Sequence, residues 1–127
     1  MSDRRSVEIP TLSHQNPLPV ASRIGPLLVS SVISSFNPGT RTVPDTVEEQ
    51  IENLFTHTEA ILAAGGATLD DVAKMTFFVS DIAFRESING PWTKRFPDAG
   101  RRPARHTQVV ATKGPSVSCD FLAYVGD

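Results

Sequence analysis

Residues 45–66, DTVEEQIENLFTHTEAILAAGG, decide how the rest of the chain is to be folded. Val47, Ile51, Leu54, Phe55, Thr58, Ile61 and Leu62 recur along one face of a 3.6-residue period, so the stretch reads as an amphipathic helix. Thr46 followed by Glu49 fits a capping box, in which each side chain satisfies an orphan backbone N–H. Gly65-Gly66 supplies the left-handed residue that ends the helix.

Strand patterns flank this helix. Upstream, Leu18 to Ile24 and Leu27 to Ile33 sit on either side of Gly25-Pro26, which reads as a hairpin. Before them, residues 1–16 form a polar arm with at most one short strand, Val7 to Ile9. Downstream, Thr68-Leu69-Asp70-Asp71 reads as one capped turn, and Met75 to Val79 as a short apolar strand. A second helical stretch starts near Asp81, with Phe84, Ile88 and Trp92 spaced by four. Asn89-Gly90-Pro91 interrupts it, because proline lacks a backbone donor and crowds the preceding turn, so a kink or two short helices are expected. Arg105 to Ala111 and Ser116 to Val125 then read as two strands around the Lys113-Gly114-Pro115 turn.

The order β-β-α-β-α-β-β predicts an α+β domain over residues 1–127. With the short strand of the N-terminal arm added, right-handed crossovers put both helices on one face of a six-stranded mixed sheet. The other face is then left bare, and a patch of that size predicts contact with a further subunit.

At 127 residues the chain is one domain by length, and on folding it buries roughly two-thirds of its unfolded surface. A 39% hydrophobic and 20% charged composition is that of a globular protein. The net charge of −2 gives no reason to expect nucleic acid as a partner. No apolar run approaches the ~20 residues that a membrane span needs, and the basic Met1–Arg5 segment is not followed by a signal-like core. The single cysteine, Cys119, forms no internal disulfide, so the expected compartment is the cytoplasm. It lies among Val117, Phe121 and Ala123, and reads as a small buried hydrophobe.

His14, His57 and His106 lack ligand spacing, so no metal is expected, and His57 reads as exposed helix surface. Neither a P-loop nor a dinucleotide fingerprint occurs, so no cofactor is expected. Ser30 and Ser31 have no nucleophile elbow. Arg105 and Asp120 remain. On neighbouring strands, a guanidinium fork could hold a substrate carboxylate while the aspartate orients or deprotonates water. From spacing alone, the plainer alternative is a salt bridge between paired strands.

Glu49-Gln50 opening the helix, Gly-Gly-Ala-Thr-Leu-Asp-Asp-Val after it, and Pro103-Ala104-Arg105 before the penultimate strand resemble the RidA/YjgF family, across about residues 17–125. This resemblance implies a chorismate-mutase-like fold, assembled as a homotrimer with clefts at the subunit interfaces. It implies hydrolysis of reactive enamines and imines to 2-ketoacids and ammonia, with no cofactor. Arg105 would bind the substrate carboxylate and Asp120 would position water. Backbone near Ser31 and Thr107 would line the pocket, Leu18 would stand where Tyr is common, and Asn89, Trp92, His14 and His106 could border it. The family has also carried an endoribonuclease label. This chain departs from the usual pattern in having Asp120 for Glu, Ser30-Ser31 for Ser-Gly, and Pro91 within the second helix. A specialised deaminase of aminomuconate-type intermediates and a non-enzymatic binder of metabolite carboxylates are the competing readings.

Overall fold

A computed structural model describes residues 3–126. The long helix, α1, spans Val47–Ala64. Thr46 caps it, its hydroxyl accepting the Glu49 N–H at 3.2 Å. The box is only half formed, because Thr46 Oγ1 donates to Glu49 Oε1 at 2.8 Å. At the other end, Gly66 takes φ +82°. Its N–H bonds Ala63 O, and the Ala67 N–H bonds Leu62 O at 2.8 Å, which together close the last turn. Gly65 serves a different need. A Cβ there would lie 2.7 Å from Leu28 Cδ2, so the helix end could not settle on the sheet.

The sheet has seven strands: β1 Arg5–Val7, β2 Ala21–Ile24, β3 Leu27–Ser30, β4 Ile33–Ser34, β5 Val72–Val79, β6 Ala104–Val109 and β7 Val117–Tyr124. Their spatial order is β1-β2-β3-β7-β5-β6, with β4 also paired to β7. β5 and β6 are parallel and the remaining pairs are antiparallel, so the sheet is mixed. The seventh strand arises because the expected Leu27–Ile33 strand divides. Val29 pairs with Leu122 and Ile33 with Cys119, and between them the chain leaves the ladder. The Ser30 hydroxyl accepts the Phe121 N–H at 2.9 Å in that gap, replacing a backbone carbonyl. The N-terminal strand falls on Arg5–Val7, two residues before its expected position.

Alternation along the central strands separates two faces. Val117, Cys119, Phe121 and Ala123 of β7, with Met75, Phe77 and Val79 of β5, are buried under α1. Ile51, Leu54, Phe55, Ile61 and Leu62 meet them. Each fully buried aliphatic or aromatic side chain contributes about 1.5–3 kcal/mol. The other face carries Leu27, Leu122 and Tyr124, which are 38%, 41% and 60% exposed.

The second helical stretch divides into α2 Phe84–Ser87 and α3 Asn89–Arg95. The break falls at Ile88, upstream of Pro91. Proline then occupies the first turn of α3, where a backbone N–H has no partner within the helix.

His57 corrects the sequence expectation, being 1% exposed rather than on the surface. Its Nε2 lies 2.7 Å from Phe36 O. Gln50, Asn53 and His57 form a polar seam against the segment after β4. Asn53 Nδ2 donates to Ser35 O and Asn37 Oδ1. Gln50 Oε1 accepts the Ser35 hydroxyl and the Ser116 N–H, tying the start of α1 to the start of β7.

Candidate active site

Arg105 stands opposite Met75, and Thr107 opposite Phe77, in the parallel β5–β6 ladder. Partners in register share a face, so both point toward the helix layer. The Arg105 guanidinium lies over the Trp92 ring, 5.2 Å from its centroid. Its Nη2 donates to Asn89 Oδ1 at 2.8 Å and to Arg85 O at 3.4 Å. Asn89 and Trp92 are three apart in α3 and so face the same way. Trp92 is fixed in turn by Phe77, edge-on at 6.2 Å, and by Phe96 at 4.7 Å. Among the described residues no carboxylate pairs with Arg105. Burial, and then the charge of Arg85, push its pKa below the ordinary guanidinium value, though the group stays charged at physiological pH.

Asp120 stands opposite Thr76 and therefore on the bare face. With Val29, Ser30, Lys74, Thr76 and Leu122 it lines a cavity of about 260 Å³. Burial raises its carboxyl above the ordinary aspartate value, and Lys74 opposes the shift. A carboxylate whose pKa rises toward neutral is a stronger proton acceptor.

The two candidate residues therefore lie on opposite faces, and β5 runs between their strands. The expectation of neighbouring strands is corrected, and no salt bridge joins the two. Two strand spacings separate β6 from β7 by roughly 9.5 Å, with the sheet itself in the way. One small molecule cannot touch both residues of a single chain.

The remaining sequence candidates sort between these halves. Asn89, Trp92 and Thr107 lie with Arg105. Ser31 lies by the strand break next to Asp120, its hydroxyl donating to Pro19 O at 2.8 Å and its N–H to Val20 O at 2.9 Å. Leu18, half-exposed, directly precedes Pro19. His106 is exposed on the bare face opposite Thr76, and His14 Nε2 lies 3.0 Å from Val32 O. Cys119 is fully buried, and burial pushes its thiol up to about 12, which leaves it protonated and inert. Lys74, Thr76 and Arg85 were not singled out by the sequence. Strand register would have exposed the first two, because it places them around Asp120.

The family model described as endoribonuclease L-PSP matches residues 13–121. The chain belongs to the RidA/YjgF family. Among RidA/YjgF relatives, a RutC family protein of Aquifex aeolicus is 30% identical over 86 residues, 68% of each chain. The 2-iminobutanoate/2-iminopropanoate deaminase of Escherichia coli is 29% identical over 101 residues, 79% of each chain. The crystal structure of RidA from an Antarctic Psychrobacter superposes with a TM-score of 0.86 at 22% identity, covering 95% of this chain and 99% of that one. The RidA/YjgF fold is thus shared along nearly the whole length. Among the described residues, no helix is long and apolar enough to cross a membrane.

Proposed function

We propose that this RidA-family chain hydrolyses small 2-imino acids and their enamine tautomers to 2-ketoacids and ammonia, in a cleft built by two copies of the chain. The observation that carries the reading is a rigidly held guanidinium on one face, without a carboxylate partner among the described residues, and a partly buried carboxylate on the other. A guanidinium with free N–H donors is a receptor for a carboxylate. The names of the Escherichia coli relative and of the Reactive Intermediate Deaminase A of Arabidopsis thaliana support the reaction class.

The two halves come together when the helix-side edge of β6 in one copy meets the bare face of the next. Such a contact joins unlike surfaces, and repeated around a threefold axis it closes into a trimer. Leu27, Leu122 and Tyr124 supply apolar surface for it.

Arg105 grips the substrate carboxylate, while Asn89 and Trp92 hold Arg105 in place. Asp120 takes a proton from water as its oxygen bonds the imine carbon. Asp120 passes that proton to the imine nitrogen, which gives the carbinolamine. The hydroxyl proton then moves to the amino group by way of the same carboxylate, the C–N bond breaks, ammonia leaves, and the carbonyl of the ketoacid forms. Backbone at Ser31 and Thr107, with Leu18, lines the cleft. The chemistry needs only water as co-reactant.

Freshly generated 2-aminoacrylate, which tautomerises to 2-iminopropanoate, tests the proposal through release of pyruvate and ammonia. Wild-type protein is expected to exceed the uncatalysed rate and Arg105→Ala to fall back toward it. Equal, uncatalysed rates for both overturn the enzymatic reading; ketoacid binding without turnover would then favour a carboxylate-binding protein.

A further inference from the structure

We propose that Arg85 supplies a second cation beside Arg105, so that the site favours 2-imino acids carrying two carboxylates. The inference rests on Arg105 as the substrate-carboxylate clamp.

Arg85 lies in α2, and its own carbonyl oxygen accepts a hydrogen bond from Arg105 Nη2. That contact brings the backbone of Arg85 against the Arg105 guanidinium at the rim of the candidate cleft. Arg85 is exposed, and its guanidinium pairs with no carboxylate among the described residues. Its field already reaches Arg105, where it adds to the effect of burial. The acidic side chain of Asp81, just upstream, is turned to the Ala83 N–H instead.

Arg95 is the counterpart, a partly buried guanidinium that the chain neutralises. It lies over the Phe55 ring at 4.8 Å, much as Arg105 lies over Trp92. Yet Glu52 and Glu59 neutralise it, at 2.9 and 3.4 Å. Arg105 has a similar aromatic platform and, in place of two acids, the Asn89 amide oxygen and the backbone carbonyl of another arginine. Like charges placed together raise the free energy of the free protein, and an anion relieves it. A monocarboxylate neutralises one of the two charges. A dicarboxylate neutralises both, with its imine carbon still carried by the carboxylate on Arg105.

The experiment compares 2-iminopropanoate with 2-iminoglutarate, each generated in the assay by an amino-acid oxidase from alanine or glutamate. Wild-type protein, Arg85→Ala, Arg85→Lys and Arg105→Ala are measured as full chains. Calorimetric Kd values for pyruvate and 2-oxoglutarate give a readout independent of turnover. Wild type is expected to show the lower KM and Kd for the dianions. Arg85→Ala should reduce that preference about five- to tenfold, in KM and Kd rather than kcat, as for a partly hydrated ion pair. Arg85→Lys should keep most of it. A wild type with no preference for the dianions, or a preference unchanged in Arg85→Ala, overturns the inference. Arg105→Ala separates the two levels: if it leaves KM and Kd for both ligand classes unchanged, the clamp reading itself fails.

Discussion

The Arg105 region and the Asp120 region are built on different principles. Arg105 sits on an edge strand and is held from outside the sheet, by the ring of Trp92 and the amide of Asn89. Asp120 sits on a central strand, beside a two-residue break where the Ser30 hydroxyl takes over a backbone hydrogen bond. The first region is a fixed charge with no counter-ion among the described residues. The second is a shallow cavity on the bare face, where Asp120 lies among Ser30, Lys74 and Thr76 and the apolar Val29 and Leu122. One suits holding an anion and the other suits moving a proton, and the sheet keeps them apart within a chain. A small substrate meets both only where two chains meet.

The sharpest way to break this comparison is to remove each half in turn. Arg105→Ala should lower kcat/KM by about a hundred- to a thousandfold, chiefly through KM, because a bidentate charge-assisted pair is lost. Asp120→Asn should lower kcat by a similar factor with KM nearly unchanged, because it removes a proton acceptor and leaves the grip intact. If both variants lose KM alone, the division of labour is wrong.

Mixing the two variants tests whether the halves belong to different chains. If the chain assembles as the proposed threefold ring, then in rings formed at random from equal amounts of Arg105→Ala and Asp120→Asn chains about a quarter of the clefts regain both groups. Activity should recover to about that fraction of wild type. A site formed inside one chain gives no recovery.

Asp120→Glu probes the reach of the carboxylate. One methylene moves it by roughly 1 Å, and misplacement of that size can cost about a hundredfold. We expect kcat toward 2-iminopropanoate to rise at least about tenfold. A fall would show that the Asp120 cavity is fitted to the shorter side chain.

The smallest effect is on stability. Burial raises the Asp120 pKa in the folded chain above its unfolded value. The stability linked to its protonation is therefore present at low pH and lost as pH rises through the folded value. Asp120→Asn removes the ionisation, so it should raise Tm at pH 7 by about 1–3 °C, a modest figure because the group is half-hydrated. The gain should vanish near pH 3, and thermal melts at the two pH values check it.

Much of the fold was legible in local pattern. The apolar face of residues 47–62, the Gly65-Gly66 stop and the Gly25-Pro26 hairpin act over a few residues, and each forms where its chemistry says. The clamp and carboxylate candidates were legible as residue types. Their relation was not, because it depends on which strand lies between β6 and β7. The burial of His57 was equally hidden, since a polar seam of Gln50, Asn53 and His57 looks like an exposed stripe until the segment after β4 packs on it.

Local sequence by itself determined most of the elements, the two ends of the long helix and the identity of the candidate groups, because helix period, caps and turns are short-range effects. Only the tertiary structure decided strand order, the split at Ser30–Ser31, the platform beneath Arg105 and the face of Asp120. Those depend on long-range register, where a one-residue shift moves a side chain to the opposite face of the sheet.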